Sequence, residues 1–268
     1  MTAVPATSPL RRARLAALAS VVAVGSLAAC SGEGPEVSDD TSTTTTTEAP
    51  TTTTTTTVPE PPAAEVAQAH EKSIDVYASA DAEAPDRQIV SGVDTSVETI
   101  PIVFLVKGDR EPEAERVEVY LPVRPNGSSG WVNTNDVSIT AVPYRIEVAI
   151  AEHRIRVFRD EEVILDEPVG VGRTDRPTPG GVYYLKELLQ PPDPDGPYGT
   201  YAYGLSGFSN VLQSFNGGSG VIGIHGTNEP DKVGTDVSSG CIRLNNDNIE
   251  RMVEEIGLPL GTPVEILA

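Results

Sequence analysis

Residues 221–228 read Val221-Ile222-Gly223-Ile224-His225-Gly226-Thr227-Asn228, and residues 238–244 read Ser238-Ser239-Gly240-Cys241-Ile242-Arg243-Leu244. The first block opens with a short buried strand that ends on a histidine. The second carries a cysteine in a glycine-containing turn beside polar residues. Working outward, Tyr144–Ile150 and Arg154–Phe158 alternate apolar and polar residues, as half-buried strands do. Val163-Ile164-Leu165 and Val169–Gly172 follow as further short runs, and Pro177-Thr178-Pro179-Gly180-Gly181 is a turn feeding a strand at Val182-Tyr183-Tyr184. Downstream, Ile249, Met252, Val253 and Ile256 recur at helical spacing, which predicts a helix over Asp247–Ile256 with Gly257 as its stop. Val264–Leu267 closes the chain as a strand. Residues 196–219 are rich in Gly, Ser and Tyr with few periodic apolar positions, and read largely as a loop covering a cleft.

Residues 144–268 are therefore expected to form a β-rich domain with one helix near its end. Residues 66–143 show strand signals of their own at Ile74–Tyr77, Ile100–Val106 and Val117–Val123, separated by turn residues such as Pro125-Asn126-Gly127. Trp131, the only tryptophan, is expected to fill the core of this small unit. The stretch from Val117 through Gly130-Trp131-Val132 to Asp136-Val137 resembles the end of bacterial SH3-like domains. The fold class expected is mainly β: a small SH3-like barrel followed by the larger β-rich domain.

The first 65 residues fit neither unit. Arg11, Arg12 and Arg14 precede an apolar run from Leu15 to Ala29, too short and too rich in small residues for a stable membrane span. It reads as an export signal over residues 1–29. The run ends in Leu27-Ala28-Ala29-Cys30, which resembles the lipobox of bacterial lipoproteins, where the peptide is cut before the cysteine and the thiol receives a lipid. That resemblance implies lipidation at Cys30, and with it an exported chain anchored to the outer face of the cell membrane. Residues 30–65 contain the runs Thr43–Thr47 and Thr51–Thr57 and several prolines. Such a stretch buries too little apolar surface to fold and reads as a tether. As a flexible coil it spans roughly 35 Å on average. The net charge of −20, from 19 basic and 39 acidic side chains, is spread along the chain and argues against a nucleic-acid partner.

Chemistry enters through the two opening blocks. Cys241 lies sixteen residues after His225. A lone cysteine with an upstream histidine in an exported chain is a candidate nucleophile and base. Thiolate is the reactive form, and a neighbouring imidazole is expected to lower the thiol pKa. Gly240 permits φ > 0 and close approach of a substrate. Backbone N–H groups around Ser239, Gly240 and Cys241 are the candidate oxyanion hole. Ser214, Phe215 and Asn216 precede the histidine strand and are candidates for the pocket lining. Three histidines and one spare cysteine offer no recognisable ligand spacing, so no metal is expected.

The paired blocks resemble the signature of L,D-transpeptidases with a YkuD-type catalytic domain: a His-Gly-Thr segment, then Ser-x-Gly-Cys-x-Arg after a comparable gap. The Pro-Thr-Pro-Gly turn matches upstream. The likeness runs from about Tyr144 to Leu267. It implies acyl transfer on peptidoglycan stem peptides without metal or organic cofactor. Cys241 would be the acylated nucleophile, His225 its general base, and the Gly226 carbonyl the group that orients the imidazole. Arg243, Thr227, Asn228, Ser214 and Phe215 are the expected substrate contacts. Ser239 departs from the pattern, since many members carry a second histidine there. Two alternatives stay open at this point: an L,D-carboxypeptidase using the same site, and a non-catalytic wall-binding lipoprotein.

Overall fold

Alternation along Tyr144–Ala149 and Arg154–Arg159 decides which side chains enter the core. In the computed structural model, which describes residues 64–92, 100–214 and 218–268, Ile146 and Val148 on the first strand and Ile155 and Val157 on the second are buried together. The residues between them face outward. Arg156 pairs with Glu147 at 3.0 Å, and the Arg145 guanidinium lies 3.5 Å over the Phe158 ring. Burying one face while the other meets water is what period-two patterning encodes.

These strands belong to an eight-stranded sheet. Its order runs Glu162–Pro168, Arg154–Arg159, Tyr144–Ala149, Pro263–Leu267, Gly181–Leu189, Ala202–Phe208, Val221–His225, Ile242–Arg243. The final strand, Pro263–Leu267, is inserted between Tyr144–Ala149, to which it is parallel, and Gly181–Leu189, to which it is antiparallel. The chain's end thus locks the middle of the sheet. The fold is mainly β, as expected.

Ala202–Phe208 corrects the reading of residues 196–219 as mostly loop. It is an interior strand that buries Tyr203 and Leu205. Its two glycines, Gly204 and Gly207, hide its strand character, and packing requires them. A Cβ at Gly204 would meet the Glu187 side chain at 2.5 Å, and one at Gly207 would collide with the Tyr183 ring. Side chains from the neighbouring strand occupy that space.

The helix begins one residue earlier than expected, as Asn246–Glu250, and continues as a π-wound turn over Arg251–Glu255. The Ile256 N–H reaches back five residues to the Arg251 carbonyl at 3.0 Å. Ile249 and Met252 are fully buried, while Val253 and Ile256 pack at the margin of the core. Gly257, at φ 68°, ends the segment.

Upstream, Val103–Leu105, Ala64–Ala69 and Val137–Val142 form a three-stranded antiparallel sheet. Two hairpins accompany it, Ser73–Val76 with Arg87–Val90 and Arg116–Tyr120 with Ser129–Asn133. Ala64 and Glu65, read as the end of the tether, are already in the first strand, opposite Val142 and Ala141. Trp131 does not fill the core. Its neighbours Gly130 and Val132 face inward, so the pleat turns the indole outward to half-burial, and Phe104 is the large aromatic filler. The export signal, the rest of the tether and Cys30 lie outside the described residues. Among those described, no helix is long and apolar enough to cross a membrane.

The upstream strands have a second buried face. Val66, Val103, Leu105 and Val142 cluster with Tyr184 from the eight-stranded sheet, so the two β units share a core.

Candidate active site

Two parallel strands at one edge of the large sheet bring the opening sequence blocks together. Ile224 lies opposite Ile242, and His225 opposite Arg243. Cys241 precedes that short strand and therefore lies alongside Gly223, whose backbone hydrogen-bonds the thiol. The Leu244 N–H donates to the His225 carbonyl at 2.9 Å, continuing the ladder past the site.

His225 is 4% exposed. Its Nδ1 lies 2.6 Å from the Gly226 carbonyl oxygen. A carbonyl can only accept, so Nδ1 carries the proton and Nε2 keeps its lone pair. Burial drives the imidazole pKa down to about 4, and the Arg243 charge pushes the same way against the Gly226 bond. The imidazole is therefore neutral at pH 7. Burial also raises the Cys241 thiol pKa, with the Gly223 hydrogen bond and Arg243 opposing it. This reverses the expectation of a lowered thiol pKa. Desolvation penalises both charges, so the resting pair is thiol and neutral imidazole.

The turn that presents Cys241 is closed by Ser238, which is 1% exposed. The Ser238 hydroxyl accepts from the Gly240 N–H at 3.0 Å and donates to the Cys241 carbonyl at 2.6 Å. Gly240 takes φ 121°, a backbone conformation that side chains rarely adopt. Its N–H is withdrawn from the expected oxyanion hole by the Ser238 bond. The turn's remaining backbone N–H groups there belong to Ser239 and Cys241.

Three side chains that patterning did not find surround this core. Tyr198 packs on the imidazole, with ring centroids 4.9 Å apart and planes tilted by 59°. It is brought there by Gly199, which lies so close to Gly226 that a Cβ on either would strike Asn246 Oδ1. That same oxygen accepts the Thr227 N–H at 2.9 Å. Arg176, from the turn after Val171–Gly172, donates to the Ser239 hydroxyl at 3.4 Å. A guanidinium thus stands beside the position where the sequence departs from the resembled signature. Tyr198, Asn246 and Arg176 lie in turns or at a helix start, where no periodicity marks them.

The other expected contacts divide. Arg243 bonds the Glu229 carboxylate at 3.1 Å, and its buried Nε has no hydrogen-bond partner among the described residues. Lys232, ahead of Arg243, holds the Glu229 carboxyl below its usual range. Thr227 is buried, and its hydroxyl accepts the Glu229 N–H at 3.1 Å, so it braces the loop. Asn228 and Ser214 are exposed, and Phe215 lies outside the described residues. Among those described, no group of three or more His, Cys, Asp or Glu side chains is arranged to hold a metal.

A parallel strand pair presenting a histidine and a cysteine at a sheet edge defines a cysteine–histidine site on a curled β sheet. The family model for the L,D-transpeptidase catalytic domain, YkuD, matches residues 143–266. A Bacillus licheniformis relative named as a YkuD L,D-transpeptidase is 33% identical over 156 residues, which is 56% of this chain and 85% of that relative. Its Bacillus subtilis counterpart is 33% identical over 125 residues, 47% of this chain and 66% of that relative. A solved L,D-transpeptidase from Mycobacterium smegmatis matches with 15% identity and a TM-score of 0.38, covering 62% of this chain and 90% of that one. The chain belongs to the YkuD L,D-transpeptidase family.

Proposed function

We propose that the chain catalyses acyl transfer between peptidoglycan stem peptides through a thioester on Cys241. The observation that carries this reading is the His225 imidazole, buried, neutral and pinned at Nδ1 by the Gly226 carbonyl. Its free Nε2 lone pair belongs to the strand end that neighbours the cysteine turn. A base in this state can take a proton without first losing one.

In the first half-reaction the Cys241 sulfur attacks the carbonyl of the third residue of a tetrapeptide donor, and the thiol proton passes to His225 Nε2. The tetrahedral oxyanion is met by backbone N–H groups of the 238–241 turn. Collapse breaks the amide bond, and the leaving D-alanine amine takes the proton back from His225. In the second half-reaction an amine of another stem attacks the thioester, gives its extra proton to His225, and releases the thiol. The product joins third residues of two stems. Covalent catalysis suits this exchange, because the thioester stores the acyl group until the acceptor arrives. Tyr198 covers the imidazole and helps keep it dry. The Arg243 charge acts on Cys241 and Arg176 donates to the Ser239 hydroxyl, positive charge suited to the carboxylates of a stem peptide.

The lipobox-like Leu27–Cys30 and the Thr/Pro-rich tether complete the reading: a lipoprotein held at the outer face of the membrane and acting in the wall. Incubation of the purified protein with tetrapeptide muropeptides tests the reaction. Cross-linked dimers with released D-alanine are expected. Tripeptide alone would mean that water is the acceptor, and no change at all would refute the assignment.

A further inference from the structure

We propose that Arg124 and Asn126, on the turn between Arg116–Tyr120 and Ser129–Asn133, are positioning residues that hold the wall beside Cys241 and so set its acylation rate. This rests on Cys241 being the nucleophile.

Both side chains reach out of the small upstream unit, to the end of Ala202–Phe208 and to the segment that links it to Val221–His225. Arg124 donates from Nη1 to the Ser209 carbonyl at 2.8 Å. Its Nη2 donates to the carbonyls of Leu212 at 2.9 Å and Ser219 at 3.1 Å. The guanidinium also lies 4.8 Å over the Phe208 ring. Asn126 makes a reciprocal pair with Phe208: Nδ2 donates to the carbonyl at 2.8 Å, and Oδ1 accepts the N–H at 2.9 Å. One planar fork thus gathers carbonyls from both ends of the segment, a geometry that a lysine ammonium does not reproduce.

What these bonds hold lies against the cysteine turn. The Ser209 N–H donates to the Gly220 carbonyl at 2.8 Å, closing the neck of the segment. Ser209 is 2% exposed, and its hydroxyl accepts the N–H groups of Val211 and Leu212 at 3.3 and 3.0 Å. That hydroxyl lies 4.0 Å from where a Cβ on Gly240 would stand, and Ile222 lies 3.7 Å from the same point. Gly223, which hydrogen-bonds the thiol, follows Gly220 by three residues. The neck therefore sits between the clamp and the nucleophile. A shift there moves the hydrogen-bond donor to sulfur and the side of the turn together, and small misplacements of reacting groups cost large factors in rate.

The test measures the rate at which a carbapenem acylates Cys241, followed by intact mass and peptide mapping on the full chain. Arg124→Ala and Asn126→Ala are each expected to slow acylation about 10-fold or more, and Arg124→Lys is expected not to restore it. Arg116→Ala is the control. It removes a comparable guanidinium, one that bonds the carbonyls of Ala80 and Ala82 at 2.8 Å inside the upstream unit, away from the segment. It should lower thermal stability yet acylate at the wild-type rate. The proposal is overturned if the Arg124 and Asn126 variants acylate like wild type, or if Arg116→Ala slows acylation equally for an equal loss of stability. Should wild-type Cys241 fail to acylate, the proposed function fails. The clamp is then read by amide hydrogen exchange at Val211 and Leu212, which Arg124→Ala should speed and Arg116→Ala should not; equal exchange in the two variants overturns it.

Discussion

His225 and Cys241 are a pair whose charges burial suppresses, and that state has consequences for pH. With the His225 pKa near 4, the imidazole stays unprotonated from neutral pH down to about pH 5. The carbapenem acylation rate should therefore hold across that range and fall only as pH approaches about 4. A fall centred between 6 and 7 would show an ordinary, solvated imidazole. His225→Ala should slow acylation by about 10²–10⁴-fold, the usual worth of general-base assistance. The same burial is linked to stability. A histidine whose folded pKa is lower than its unfolded value of about 6.5 binds its proton in the unfolded chain first. Stability from this source is complete above about pH 6.5 and is lost as pH falls toward 4. A folded pKa near 4 corresponds to about 3 kcal/mol over that window. Urea unfolding at pH 7 and pH 4.5 should show His225→Asn losing less stability than wild type over the drop. Equal losses would mean that His225 titrates normally in the folded protein.

At the level of the element, the turn that presents Cys241 depends on Ser238. Its hydroxyl ties the Gly240 N–H to the Cys241 carbonyl. Ser238→Ala leaves both groups without that partner, which should cost about 1–3 kcal/mol in stability and slow acylation with the fold retained, as read by urea unfolding and by the carbapenem rate. The strands around this turn were legible where apolar and polar residues alternate. Tyr144–Ala149, Arg154–Arg159 and Val221–His225 lie where the pattern puts them. Ala202–Phe208 was not legible, because Gly204 and Gly207 lower its apparent strand character while serving the side chains of Glu187 and Tyr183 across the ladder. Trp131 was misplaced because size suggested core, whereas the pleat allows only one parity inward, taken by Val132. The cysteine and histidine were legible from their motifs. Tyr198, Arg176 and the Arg124–Asn126 clamp were not, since each acts from a turn across a long sequence separation that no local period records.

The described part of the molecule is held as one by contacts between its two β units. The clamp is one such contact, and Tyr184 is another. Tyr184 is fully buried where the upstream strands meet the large sheet, and its hydroxyl has no hydrogen-bond partner among the described residues. An unpaired buried hydroxyl is a desolvation cost without return. Tyr184→Phe keeps the ring and removes that cost, so it should raise stability by about 1 kcal/mol, seen as a higher urea midpoint with an unchanged slope. A drop in the midpoint would mean that the hydroxyl is satisfied in solution. The proposed reaction stands on acylation of one sulfur. The most direct measurement is the mass of the intact protein after incubation with a tetrapeptide donor in the absence of acceptor, with the adduct mapped to its peptide. The prediction is a tripeptide acyl group on the peptide containing Cys241, lost in Cys241→Ala and accumulating much more slowly in His225→Ala. An unmodified Cys241 in folded wild-type protein that nonetheless releases D-alanine would contradict it.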